Sequence, residues 1–131
     1  MSPKKYKSAH IYIERMIEHT QKIKKYRRNL SLDEFKRRDM KYDAVCLQLS
    51  QLGENVAKIE KCEDRIMERF SSEVSWKLLK GLRNRIDYDY TWIEVEKIWK
   101  VLFGPIDSLE KGLIEILNKR YGIRIAPYFK F

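Results

Sequence analysis

The feature that most constrains the fold is a long stretch without proline that contains a regular apolar seam. Between Pro3 and Pro105 no proline occurs. Within that stretch, six apolar residues follow one another at steps of three, four, three, four and three: Tyr42, Val45, Leu49, Leu52, Val56 and Ile59. This period places them along one side of an α-helix, and we predict a long helix over about 32–61 with a break near Arg38. With only two Thr and five Val among 131 residues, the composition argues against an all-β fold.

Other segments also show helical patterns. The spacing of apolar residues predicts a first helix over about 4–28, and Ser31 with Glu34 three residues later is the signature of a capping box for the next helix. Segment 64–70 is predicted to be a helix or a frayed turn, and the stripe of Trp76, Leu79, Leu82 and Ile86 predicts a third element.

A fourth element begins near residues 91–92 and carries apolar residues to position 116. Pro105 lies inside it, so we expect a kink or a break at Phe103-Gly104, because proline removes a helical hydrogen bond. The tail, 121–131, has no helical period and is expected to be extended. The predicted fold is therefore all-α: a single domain over 1–131, an antiparallel up-and-down bundle of four or five helices.

The chain is strongly basic. It has 28 Lys and Arg against 19 Asp and Glu, a net charge of +9, and residues 22–28 hold five positive charges and no negative one. This favours a polyanionic partner, either RNA or an acidic protein, although charged outer faces on a plain helical domain have the same composition.

The expected location is cytoplasmic. Cys46 and Cys62 do not form a Cys-x-x-Cys pair, and on one helix they are too far apart for a disulfide, which indicates a reducing compartment. The N-terminal residues show no signal peptide, and no run is long enough for a membrane span. We therefore expect no membrane association.

Several kinds of chemistry have no residues to support them. The two histidines, His10 and His19, are nine residues apart and lie on opposite sides of the predicted first helix, so they cannot ligate one metal from it. The chain has no glycine-rich phosphate loop and no calcium-loop spacing. We expect neither a metal nor any other cofactor.

Segment 76–99 carries the candidate site. On a helix, Arg83, Asp87 and Tyr90 fall on one stripe beside the apolar line, where a guanidinium is well placed to clamp a phosphate. Arg85 adds a second cation, and Tyr88 a second phenol for hydrogen bonding or base stacking. The alternative is structural: an Arg83–Asp87 ion pair with tyrosines packed at the edge of the core.

The same segment resembles the HepT-type toxin family of the HEPN superfamily. Gly81-Leu82-Arg83-Asn84-Arg85-Ile86 matches the family's stretch without a gap, and Tyr90 falls on its tyrosine. Upstream, Leu52-Gly53-Glu54-Asn55-Val56-Ala57 is similar to the family's Ile-Gly-Glu helix. One position differs: Tyr88 stands where the family has its catalytic histidine.

The resemblance implies a metal-independent endoribonuclease that works as a homodimer, the toxin of a toxin–antitoxin pair. Its candidate catalytic residues are Arg83, Asn84 and Tyr88. In this chemistry a base removes the RNA 2′-OH proton, the oxygen attacks phosphorus, and arginine stabilises the anion. A tyrosine, with an ordinary pKa near 10, is a poor base at neutral pH, so activity is expected to be weakened. Asp87 and Asp89 are alternative but weaker bases than a histidine.

The resemblance also implies a nucleotidyltransferase antitoxin as partner. Tyr90 is the candidate nucleotide acceptor, and Arg85 and Glu54 are candidate nucleotide-binding residues. Two other functions stay open: an inactive nucleotide- or RNA-binding subunit of a nucleotidyltransferase, and a helical RNA-binding or scaffolding module. Since Leu52 and Val56 bury one side of their helix, we also expect Glu54 and Asn55 to face Arg83.

Overall fold

The computed structural model describes residues 8–125, and this part of the chain is all-α, as predicted. It contains seven α-helices and one 3₁₀ turn, Tyr90–Trp92, and no β-strand within those residues. The helices are α1 His10–Tyr26, α2 Leu32–Lys36, α3 Met40–Glu60, α4 Ile66–Arg69, α5 Trp76–Asp89, α6 Val95–Val101 and α7 Gly104–Tyr121.

The two predicted breaks are confirmed. The first lies between α2 and α3, where Arg38 has a left-handed backbone with a φ of 53° that a continuing helix does not allow. The second lies between α6 and α7, and Pro105 falls in the first turn of α7, where its missing N–H costs no hydrogen bond. The capping box is also present, with the Ser31 hydroxyl accepting from the Glu34 N–H at 3.1 Å.

Helix α1 starts later than the sequence pattern predicts. It begins at His10 instead of near residue 4, because the backbone N–H of Ala9 donates a hydrogen bond to the Asp64 carboxylate at 3.0 Å and the chain is not helical at residues 8 and 9. At the other end, α7 continues to Tyr121, and residues 122–125 have no regular structure. The rest of the predicted extended tail, 126–131, lies outside the described residues.

Long helices pack side by side in the order α7, α1, α3, α5. The side-chain contacts between neighbouring helices show that each neighbouring pair is antiparallel. Between α3 and α5, for example, Glu60 pairs with Lys80, Glu54 with Arg83 and Ser50 with Asp87 as the two helices run in opposite directions. The predicted seam on α3 is wholly inside the core, because each of its six residues is at most 1% exposed. The α3–α5 pair therefore positions the candidate site.

No helix within residues 8–125 is long and apolar enough to cross a membrane.

Candidate active site

Helices α3 and α5 come closest at Gly53. A Cβ atom built on Gly53 would lie 2.4 Å from the Cβ of Arg83 and 2.7 Å from the carbonyl oxygen of Leu79. Both distances are far below van der Waals contact, so only glycine fits here. The missing side chain lets α5 lie directly on α3, and this brings the stem of Arg83 against the α3 backbone.

Arg83 is held between two carboxylates at this contact. Its Nη1 donates to Glu54 Oε1 at 3.1 Å, and its Nε lies 3.9 Å from Asp87 Oδ2. The Nη2 atom is 3.5 Å from Asn84 Oδ1. The side chain is 25% exposed, while its Nε is buried without a hydrogen-bond partner among the described residues. Nη1 and Nη2 each carry a second N–H beyond these contacts, which suits the partly exposed guanidinium to an anionic ligand.

Asp87 is fixed from the opposite helix. The Ser50 hydroxyl donates to Asp87 Oδ1 at 2.8 Å, while Oδ2 is the oxygen that faces Arg83. The predicted proximity of Arg83 and Asp87 is therefore present. Ser50 was not predicted as a site residue, although its spacing of four from Glu54 places both on one face of α3 and was a usable signal.

Tyr90 lies away from this pair. Helix α5 ends at Asp89, so Tyr90 opens the 3₁₀ turn, and its hydroxyl donates a hydrogen bond to Asp43 Oδ1 on α3. The Tyr90 ring also lies 5.8 Å from the ring of Tyr42. Burial first, and then the bond to Asp43, raise the pKa of the Tyr90 phenol, so that it stays protonated. The predicted stripe joins Arg83 and Asp87 but not Tyr90.

Arg38 holds the turn that contains Tyr90. Its guanidinium donates to the backbone oxygens of Thr91, at 3.1 Å, and of Ile93, and a further contact of 3.5 Å reaches the oxygen of Tyr90. These groups lie beyond the C-terminal end of α5, where carbonyls lack helical partners and a cation is stabilising. The sequence pattern predicted a helix break near Arg38, but neither Arg38 nor Asp43 was predicted as a site residue.

The remaining predicted residues are on the surface around this site. Tyr88 is 81% exposed and, within residues 8–125, its hydroxyl makes no hydrogen bond. Arg85 is also exposed, with its Nε 3.7 Å from Asp89 Oδ2. Asn84 is exposed beside Arg83. The structure thus places Tyr88 in solvent and Asp89 in a separate ion pair, away from the contacts of Arg83.

The expectation for Glu54 and Asn55 is confirmed for the first residue only. Glu54 bonds Arg83 as described, but Asn55 is buried, and its Nδ2 donates to the backbone oxygen of Gln51 at 2.9 Å, one turn earlier in α3. The reason is helical geometry, since neighbouring residues on α3 point about 100° apart and only one of them can face α5.

Part of the basic run 22–28 is structural. Lys24 bonds Glu110 at 2.7 Å, and Arg27 pairs with Asp107 at 2.9 Å, so both cations fasten α1 to α7. The other three cations of the run, Lys22, Lys25 and Arg28, form no ion pair within the described part of the chain. In the same residues no three His, Cys, Asp or Glu side chains are grouped so as to hold a metal ion.

Comparison with known proteins points to one family. The sequence model of the family described as "Ribonuclease HepT-like" matches residues 16–116. The chain is also similar to the protein named "Putative RNase TTE0752" of Caldanaerobacter subterraneus subsp. tengcongensis, with 26% identity over 113 residues, which cover 86% of this chain and 97% of that protein. No solved structure matches the chain.

Proposed function

The chain belongs to the HepT-like ribonuclease family, and we propose that it is a metal-independent endoribonuclease with its active site at Arg83, Asn84 and Tyr88. The observation that carries this proposal is the way in which the Arg83 side chain is held. Its stem is fixed against Gly53, one N–H of its Nη1 is bound by Glu54, and its side chain is 25% exposed. An arginine anchored in this way keeps donors for a phosphate without having to reorganise.

In the proposed reaction the 2′ oxygen of a nucleotide attacks the adjacent phosphorus and the bond to the 5′ oxygen breaks. Arg83 stabilises the charge that develops on the phosphoryl oxygens. Tyr88 occupies the position that the family gives to histidine, and a phenol is a poor proton acceptor at neutral pH. We therefore expect slow cleavage, because general acid–base catalysis is typically worth about 10²–10⁴-fold in rate.

We also propose that the protein is the toxin of a toxin–antitoxin pair, that it acts in the cytoplasm and that its antitoxin is a nucleotidyltransferase. Tyr90 is the proposed nucleotide acceptor, with Arg85 and Glu54 as nucleotide-binding residues. The contacts of Arg38 and Asp43 support this role for Tyr90, since they hold its backbone and its hydroxyl in a defined position. The two cysteines are unpaired, which fits a reducing compartment.

A homodimer of antiparallel helical bundles is the proposed assembly. Tyr88 and Trp92, near the end of α5, are 81% and 80% exposed, which is unusual for large aromatic side chains and fits a surface that a second copy covers. Sedimentation velocity at micromolar concentration is expected to give a dimer. A monomer at that concentration contradicts the proposed assembly.

The alternative function is an inactive nucleotide- or RNA-binding subunit of a nucleotidyltransferase. The observation that favours it is Tyr88 itself, because the position of the family's histidine is filled by a side chain that does not remove a proton efficiently. In this alternative the phosphate-binding role of Arg83 remains and cleavage is absent.

An RNA cleavage assay separates the two functions. We expect the purified chain to cleave a fluorescent single-stranded oligoribonucleotide slowly, and to bind a 2′-O-methyl copy of it with an affinity that falls with added salt. Arg83→Ala should abolish cleavage and weaken binding. Arg69→Ala, which removes an exposed cation from helix α4, is the matched control and should change neither. Cleavage that survives Arg83→Ala places the active site elsewhere, and binding without any cleavage supports the inactive subunit.

A further inference from the structure

The proposed ribonuclease lacks a histidine in its site, so the proton of the attacking 2′-OH needs another acceptor. Among the described residues, three carboxylates form ion pairs with Arg83 or Arg85: Glu54, Asp87 and Asp89. Glu54 is already bonded to Nη1 of Arg83, and Asp89 is drawn to Arg85. Asp87 lies beside the guanidinium without a hydrogen bond to it, and its Oδ2 has no hydrogen-bond partner among the described residues.

We propose that Asp87 is the proton acceptor for RNA cleavage at Arg83, and that Ser50 is the residue that positions it. This inference rests on the proposed ribonuclease function. The geometry behind it is a chain of contacts across α3 and α5, in which Ser50 Oγ donates to Asp87 Oδ1 at 2.8 Å and Asp87 Oδ2 lies 3.9 Å from Arg83 Nε.

Helix geometry distinguishes Asp87 from Tyr88. Asp87 follows Arg83 by four residues, so the two side chains are only about 40° apart around α5, whereas Tyr88 is about 140° away from Arg83. Within one chain, a phosphate bound by Arg83 therefore lies beside Asp87 and not beside Tyr88. The Asp87 side chain is 40% exposed, which leaves it accessible to a substrate.

The hydrogen bond from Ser50 decides which oxygen reacts. It occupies Oδ1 and fixes the plane of the carboxylate, so that Oδ2 remains available on the side of Arg83. In the proposed step, Oδ2 takes the 2′-OH proton while the 2′ oxygen bonds to phosphorus. The bond from phosphorus to the 5′ oxygen breaks, and that oxygen takes a proton from solvent. The products are a 2′,3′-cyclic phosphate and a 5′-hydroxyl, and Asp87 returns its proton to solvent.

The test compares four variants on one labelled single-stranded oligoribonucleotide: Asp87→Asn, Asp87→Glu, Asp89→Asn and Ser50→Ala. Asp87→Asn keeps an acceptor for the Ser50 hydroxyl but cannot take a proton, so cleavage should fall about 10²-fold. Asp89→Asn removes the same charge two residues away and should leave the cleavage rate unchanged. Ser50→Ala keeps the Asp87 carboxylate but removes the hydrogen bond that orients it, so the cleavage rate should fall about threefold to tenfold.

Binding to the 2′-O-methyl copy of the oligonucleotide separates catalysis from structure. Asp87→Asn should bind this uncleavable RNA at least as tightly as the unaltered chain, because a negative charge beside the phosphate has been removed. Asp87→Glu should recover part of the cleavage rate. Circular dichroism and mass spectrometry check that each variant is folded and that the product ends in a cyclic phosphate.

Each outcome decides the question. The role of Asp87 is supported if Asp87→Asn loses cleavage but still binds the uncleavable RNA, and if Asp87→Glu recovers part of the cleavage rate. Equal cleavage by Asp87→Asn and the unaltered chain, together with loss in Arg83→Ala, overturns the role of Asp87 but leaves the ribonuclease function standing. An equal loss in Asp89→Asn also overturns it, because the effect is then one of general charge. An unaltered chain that cleaves no RNA overturns both proposals.

Discussion

Replacing Gly53 by alanine tests whether the close contact between α3 and α5 is what positions Arg83. The added Cβ would meet the Arg83 Cβ at 2.4 Å and the Leu79 carbonyl oxygen at 2.7 Å, whereas ordinary contact begins at 3.4 Å. The two helices must therefore move apart by about 1 Å, because neither atom is the end of a flexible side chain. Overpacking of this kind lowers the free energy of unfolding by about 1–3 kcal/mol.

Gly81→Ala is the matched control. Gly81 lies in the middle of α5, and a Cβ built on it has no atom within 4 Å. Alanine is preferred over glycine in a helix by about 1 kcal/mol, and both substitutions gain this term. This gain cancels when the two variants are compared. The difference between their free energies of unfolding is therefore the cost of overpacking at Gly53, about 1–3 kcal/mol.

Thermal unfolding followed by circular dichroism measures that difference. For a chain of this size, 1 kcal/mol corresponds to roughly 4 °C in Tm, so Gly53→Ala should melt about 4–12 °C below Gly81→Ala. Gly81→Ala itself should melt slightly above the unaltered chain. Binding of the 2′-O-methyl oligonucleotide should weaken only in Gly53→Ala, since only there is Arg83 displaced. Equal melting temperatures for the two variants refute this account of the α3–α5 contact.

Three other perturbations have defined outcomes. Tyr88→His restores an imidazole at the family's base position, and cleavage of the oligoribonucleotide should rise about 10²-fold; no increase in a folded variant means that the site has lost more than its histidine. Arg38→Ala removes the donors to the turn after α5 and should lower the free energy of unfolding in urea by about 1 kcal/mol, whereas its exposed neighbour Arg37→Ala should leave it unchanged. Burial raises the pKa of the Cys46 and Cys62 thiols from 9.0 to about 11, so both should resist a disulfide reagent at pH 8 until the chain is unfolded. The free energy of unfolding should also fall between pH 9 and 11, because the native state retains protons that the unfolded thiols release; a pH-independent stability there contradicts the shift.

Local signals in the sequence were sufficient to predict most helices and both breaks. The apolar period of α3, the capping residue Ser31 and the position of Pro105 act over a few residues, and each has the predicted effect. The contact between Glu54 and Arg83 was also predictable, because a partly buried carboxylate needs a cation. The start of α1 was not, since Asp64, which binds the Ala9 N–H, is distant in the sequence.

The arrangement of the site was decided by tertiary structure. Ser50 and Asp87 are 37 residues apart, and Asp43 and Tyr90 are 47 apart. The spacing of apolar residues within a helix does not predict which residues of α3 contact which residues of α5. Those contacts depend on the distance between the two helix axes and on how far one helix is shifted along the other. The absence of a side chain at Gly53 allows the approach that brings these pairs into contact. The sequence by itself therefore determined the helices and the candidate arginine, whereas the register of two packed helices decided which carboxylate lies beside it.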